Sequence, residues 1–170
     1  MLKEIQHKDK EGFLDIFQDY PEDIDESALV ELQKAKPRII NELGEKGWGA
    51  LHYAIFCRAS DILEELLDMY GIDVNKCTSD GWLPVQLAID LSDPQYLEML
   101  LAQPNLNLNL VTSKGSALHL AAKEGNKKAL MMLLEKEVDI QVKDNHGKTP
   151  YEVCTDEECL KILKRFEDKK

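Results

Sequence analysis

The sequence predicts an all-α solenoid of stacked helix-turn-helix units with projecting β-hairpin loops, on three observations. The stretch "KGWGALHYA", Lys46 to Ala54, is written again as "DGWLPVQLA", Asp80 to Ala88, 34 residues further on. Anchors at Leu51, Val85, Leu118 and Tyr151 continue the step at 34, 33 and 33 residues. After each of the first three anchors, leucines recur at helical spacing: Leu63, Leu66 and Leu67; Leu97, Leu100 and Leu101; Leu130, Leu133 and Leu134. Self-similarity at a fixed period of about 20–50 residues marks a repeat array, in which each unit buries its apolar side against its neighbours.

Taken in order, the chain 1–170 reads as a single domain. Ser27 to Gly47 aligns on Asp61 to Gly81, so that Leu29 meets Leu63, Leu32 meets Leu66, Ile40 meets Val74 and Asn41 meets Asn75. Residues 13–46 therefore read as a degenerate capping repeat. Its first helix carries Phe13, Leu14, Ile16 and Phe17, "YPEDIDES" is its acidic joint, and Pro37 ends its second helix. Repeats follow at 47–80, 81–114 and 115–146, and 147–170 is the C-terminal cap. Hairpins are expected near 44–48, 78–82, 112–116 and 144–148, where Gly47, Gly81, Gly115 and Gly147 supply the turns. Ala54, Ala88 and Ala121 let neighbouring helices approach closely. Asp93-Pro94 starts one helix, and Thr149-Pro150 with Glu152 is a capping box. Thr155 to Glu158 offers a second box for the last helix. The tail "CLKILKRFEDKK" is apolar on one face and charged on the other, as the end of an array requires.

These residues resemble the ankyrin repeat family, whose period is about 33 residues with a T-P-L-H-x-A signature. Thr149-Pro150 keeps one part of the signature, Leu51-His52 and Leu118-His119 another, and Ala121-Ala122 the alanine pair. "DVN" at Asp73 to Asn75 and Gly125-Asn126 also match, and the resemblance covers residues 45–170. There are departures. The first two repeats carry an extra residue before the next loop. Arg58 and Ser92 stand where the third repeat has Gly125. Glu137 stands where the family has a helix-ending glycine. Gln86 and Glu152 replace the signature histidine.

Composition narrows the function. Apolar residues make up 44% of the chain, enough for a core, and no run is long enough to span a membrane. "MLKEIQHKDKEGF" has no apolar stretch of signal-peptide length, which points to a cytoplasmic or nuclear protein or to a fragment of a larger one. A net charge of −11 disfavours nucleic acid. Cys57, Cys77, Cys154 and Cys159 form no CxxC pair or zinc pattern and read as reduced, mostly buried thiols.

The candidate chemistry is sparse. His52 and His119 occupy the same place in repeats one and three, too far apart to share a metal, so each is expected to bond a neighbouring turn backbone. His7 and His146 read as exposed. Adjacent acids such as Glu22-Asp23, Glu64-Glu65 and Glu157-Glu158 point apart on solvated faces, whereas carboxylate catalysis needs two acids converging across a cleft. The lysine- and arginine-free segment from Asp15 to Glu31 reads as a solvated face. No phosphate-loop, nucleophile-elbow or zinc-protease motif occurs. One of Met131 and Met132 is expected in the core.

What remains is shape. The resemblance implies a non-catalytic protein-protein interaction module with no cofactor and no metal, binding on its concave face. The alternatives are a small inhibitor or assembly chaperone of an enzyme, and the N-terminal ankyrin domain of a larger multidomain protein. Trp48 and Trp82 follow the hairpin glycines at an outward position, and Phe56 and Leu91 lie near the ends of the adjoining first helices. With Asp80 and Asp90 as an acidic rim, these six residues are the candidate partner-binding face, suited to a basic segment. A monomer is expected.

Overall fold

Two leucine-rich faces per repeat can be buried only by stacking, and the computed structural model shows that stacking. It describes residues 41, 43, 47–136 and 138–167. The degenerate repeat at 13–40, the acidic segment, Pro37, His7 and Glu137 lie outside the described residues.

The described chain forms eight helices in four pairs: α1 (Ala50–Phe56) and α2 (Ser60–Asp68), α3 (Pro84–Asp90) and α4 (Pro94–Leu101), α5 (Ala117–Lys123) and α6 (Lys127–Leu134), α7 (Pro150–Val153) and α8 (Glu157–Glu167). The first helices pack in sequence, α1 on α3, α3 on α5 and α5 on α7. The second helices do the same, α2 on α4, α4 on α6 and α6 on α8. No β-strand occurs among the described residues, and the one ladder contact is the antiparallel bridge Thr112–Gly115.

The first helices α1, α3 and α5 are short and buried over most of their length, whereas α7 buries only Pro150. Ala54, Ala88 and Ala121 sit at the centres of α1, α3 and α5, with no side chain to hold neighbouring axes apart. All nine leucines of the three second-helix triads are buried, and Leu118 is wholly enclosed. Met132 packs on this core while Met131 is exposed. Cys154 and Cys159 are buried, Cys57 and Cys77 half-buried, and all four are free thiols.

The helix starts follow their capping chemistry. Asp93 accepts from the Gln95 N–H at 3.1 Å, with Pro94 at the first helical position. Thr149 and Glu152 form the reciprocal box, the Glu152 carboxylate accepting from the Thr149 N–H at 2.7 Å. The last helix differs from expectation: Asp156, not Thr155, accepts from the N–H groups of Glu158 (3.1 Å) and Cys159 (2.9 Å). A carboxylate one residue closer to the helix reaches both orphan donors, which a hydroxyl at Thr155 would not.

Between helices the backbone turns left-handed at equivalent places. Arg58 (φ 57°) and Ser92 (φ 54°) adopt the conformation that Gly125 (φ 63°) adopts in the third repeat. The chain accepts this strain twice where glycine would remove it. At the hairpins, Gly47 has φ 74°, and a side chain there would meet the Ser79 Cβ of the next hairpin at 2.6 Å. The turn and the packing of hairpin on hairpin both demand glycine.

Candidate interaction surface

Three of the four first helices, α1, α3 and α5, carry at their third residue the side chain that locks them to the next hairpin. Neutral His52 accepts from the Gly49 N–H through Nδ1 (3.2 Å) and donates from Nε2 to the carbonyl of Trp82 in the next hairpin (3.0 Å). Gln86 makes the same pair of bonds: Oε1 accepts from the Leu83 N–H (3.1 Å), and Nε2 donates to the Gly115 carbonyl (2.8 Å). His119 accepts from the Ser116 N–H and donates to the Lys148 carbonyl at 2.8 Å. An amide carries an acceptor and a donor as a neutral imidazole does, so Gln86 is a functional replacement of the histidine. Glu152 offers acceptors alone. It caps its own helix and has no proton to donate to a further hairpin. Burial holds the His52 imidazole at a pKa of about 4, against partial opposition from its two backbone hydrogen bonds. Both histidines are therefore structural, as the sequence implied, and His146 is exposed.

A second ladder runs along the loops. Asn41 accepts from the Asp73 N–H (2.7 Å), Asn75 from the Asn107 N–H (2.8 Å) and Asn109 from the Asp139 N–H (2.8 Å). Asn41 and Asn75 each also donate across to the next loop, to the carbonyls of Gly71 and Asn105. At Asn41 the alignment with Asn75 thus holds in the structure.

The bonds from His52, Gln86 and His119 end on backbone carbonyls of the next hairpin and so do not depend on the side chain there. Trp82, Gly115 and Lys148 are equivalent positions, because each supplies the carbonyl that the preceding repeat grips. The third hairpin is one residue shorter: Thr112 pairs with Gly115, whereas Thr78 pairs with Trp82 and Asp144 with Lys148. Glycine therefore occupies the tryptophan position there, and Lys114 at the tip leans back over the Trp82 ring, its Nζ 4.9 Å from the centroid.

Of the six candidate residues, Trp48 and Phe56 are brought together. The Trp48 ring lies 5.4 Å from Phe56 in an edge-to-face arrangement and 5.4 Å from Tyr53, with His52 at 6.1 Å. Phe56 is nonetheless 55% exposed. Trp82 and Leu91 are half-buried against the core, and Asp80 and Asp90 are exposed. Among the described residues, no hydrogen bond, ion pair or ring contact joins Leu91, Asp80 or Asp90 to the two indoles. Lys114 was not singled out in the sequence. Its signal is the short third hairpin, which sets the lysine opposite an aromatic face.

Among the described residues, no helix is long and apolar enough to cross a membrane, and no three His, Cys, Asp or Glu side chains gather in a way that could hold a metal.

The comparisons with known proteins agree with this geometry. A family model described as "Ankyrin repeats (3 copies)" matches residues 24–112 and 93–169. The tyrosine-protein kinase Shark of Drosophila melanogaster is 30% identical over 131 residues, which are 76% of this chain and 14% of the kinase. The solved ankyrin repeat domain of Bcl-3, a member of the IkappaB protein family, superposes with a TM-score of 0.72 at 25% identity, over 81% of this chain and 61% of that one. The chain thus spans a small part of the kinase and about three-fifths of the Bcl-3 domain. By its repeat period, its stacked helix pairs and the family model that covers most of its length, the chain belongs to the ankyrin repeat family.

Proposed function

We propose that the chain is a non-catalytic module that holds a protein partner on its concave face, with Trp48, Trp82, Phe56 and Leu91 as anchors and Asp80 and Asp90 as the rim. Ankyrin repeats are generally protein-protein interaction modules, and the family supports that class of function. The observation that carries the specific reading is the Trp48–Phe56 pair. A phenyl ring is 55% exposed yet held edge-on by an indole that is itself packed on Tyr53. A rigid exposed aromatic loses little side-chain entropy on binding, which is why such groups anchor interfaces. The acidic rim favours a basic stretch in the partner. The kinase relative, of which the chain spans 14%, supports a further reading in which the repeats are one module of a larger protein.

The test is capture from a cell lysate with immobilised wild-type chain and its Trp48→Ala and Trp82→Ala variants. Each variant should weaken binding of the captured partner by about 1–3 kcal/mol, the range of an interface anchor, while keeping its helical circular dichroism. Equal capture by all three would move the contact surface elsewhere.

A further inference from the structure

The end of each first helix makes a row whose chemistry changes in order. Phe56, Asp90 and Lys123 are each the last residue of a seven-residue helix, α1, α3 and α5. These helices pack side by side, so the three side chains occupy equivalent places on successive repeats. All three are exposed, and among the described residues neither Asp90 nor Lys123 forms an ion pair. In the first repeat the hairpin-exit side chain touches the helix-end side chain, as the 5.4 Å Trp48–Phe56 contact shows. The two rows meet in the first repeat, and the side-by-side packing of the first helices carries the helix-end row on from there. The hairpin-exit row changes in the same sense, from Trp48 and Trp82 through Gly115 to exposed Lys148. Glu124, beside Lys123, and Glu152 and Asp144, near Lys148, are acids on the basic side, and the Asp144 carboxylate is engaged by the His146 and Lys148 N–H groups. The Glu152 carboxylate is already engaged by the Thr149 N–H.

We infer that this face reads an extended partner segment with a fixed order of chemistry: an aromatic or aliphatic residue on Trp48 and Phe56, then a basic residue at Asp90, then an acidic residue at Lys123. The inference rests on the proposed binding face and deepens it, since the acidic rim alone would select any basic segment. Helices pack about 8–10 Å apart, and an extended chain advances about 3.3 Å per residue, so successive recognition residues stand roughly three residues apart. Misplaced like charges are repelled at two positions at once, which makes the order, not the composition, the thing selected.

Two synthetic fluorescent peptides of identical composition test this by anisotropy at low salt. One carries apolar, basic and acidic residues in that order at three-residue spacing. The other has the basic and acidic residues exchanged, a change that binding in the opposite chain direction does not repair. The wild-type chain should prefer the first by about tenfold. The double variant Asp90→Lys, Lys123→Asp should prefer the second, and both sites are exposed, so folding is not at stake. Trp48→Ala should lose the first peptide. If wild type binds both peptides equally and Trp48→Ala loses both, the aromatic face stands and the ordered recognition is overturned. If wild type binds neither peptide, the ordered recognition is likewise overturned, and the lysate capture alone decides the binding face.

Discussion

His52 is the place where acid should loosen the array. Its imidazole is fully buried, accepts from the Gly49 N–H and donates to the Trp82 carbonyl, which requires the neutral ring. Burial lowers its pKa from 6.5 to about 4. The unfolded chain therefore takes up this proton first, between pH 6.5 and 4. The stabilisation from neutral His52 is complete above pH 6.5, falls as the pH drops through this window, and is exhausted once both states are protonated below about 4. At about 1.4 kcal/mol per pH unit of lowering, the loss is on the order of 3 kcal/mol. Gln86 supplies the control, because it makes the same two bonds without titrating. Urea unfolding followed by circular dichroism, for wild type and His52→Gln between pH 7.5 and 4, isolates the residue, since every other titrating group is common to both. The difference in stability should shift steadily against wild type as the pH falls. A difference independent of pH would refute the buried neutral imidazole as the cause.

Leu118→Ala removes a wholly enclosed side chain from α5 and should cost about 2–5 kcal/mol, read as a lowered denaturation midpoint. Because the array is quasi-one-dimensional, α7 and α8 should then melt ahead of the rest. Gln86→Glu keeps the acceptor for the Leu83 N–H but loses the donor to Gly115, and should destabilise by about 1–3 kcal/mol by the same assay. Ser92→Gly should stabilise by about 0.5–1 kcal/mol, the strain of its left-handed backbone less the extra entropy of unfolded glycine. Arg58→Gly should gain less, since it also removes the exposed 3.9 Å pair with Asp93. Burial, chiefly, pushes the Cys159 thiol up to about 12, so it should resist alkylation at pH 7.5 until the chain is unfolded.

The fold was legible because its signals are local and repeated. Leucine triads, central alanines, Asp93-Pro94 and Thr149-Pro150 each state a helix or its start in a few residues, and the period stacks them. Equivalence across repeats set Arg58 and Ser92 opposite Gly125, and their left-handed backbones show the strain that this substitution carries. What escaped were matters of a single residue. The last helix starts on Asp156 because two neighbouring groups both had capping chemistry, and reach decided between them. The role of Gln86 was hidden because imidazole and amide look unlike in sequence but present the same donor and acceptor in space. The shorter third hairpin, and with it Lys114 over Trp82, depends on loop geometry that a one-residue difference in glycine spacing only hints at. Trp48 and Phe56 stand in ring contact because the helix start after the hairpin fixes their separation. Where Leu91 and the aspartates bear on that pair depends on the partner.

The chain contains two tryptophans, Trp48 and Trp82, both in the proposed binding face. Protein labelled with 5-fluorotryptophan therefore yields two fluorine resonances, assignable by replacing either residue with phenylalanine. Titration with the captured partner, followed by fluorine NMR, tests the central claim directly. Both resonances should shift or broaden in proportion to complex formed, Trp48 the more strongly because Trp82 is already covered by Lys114 on one face. Two unmoved resonances at saturating partner would contradict the account.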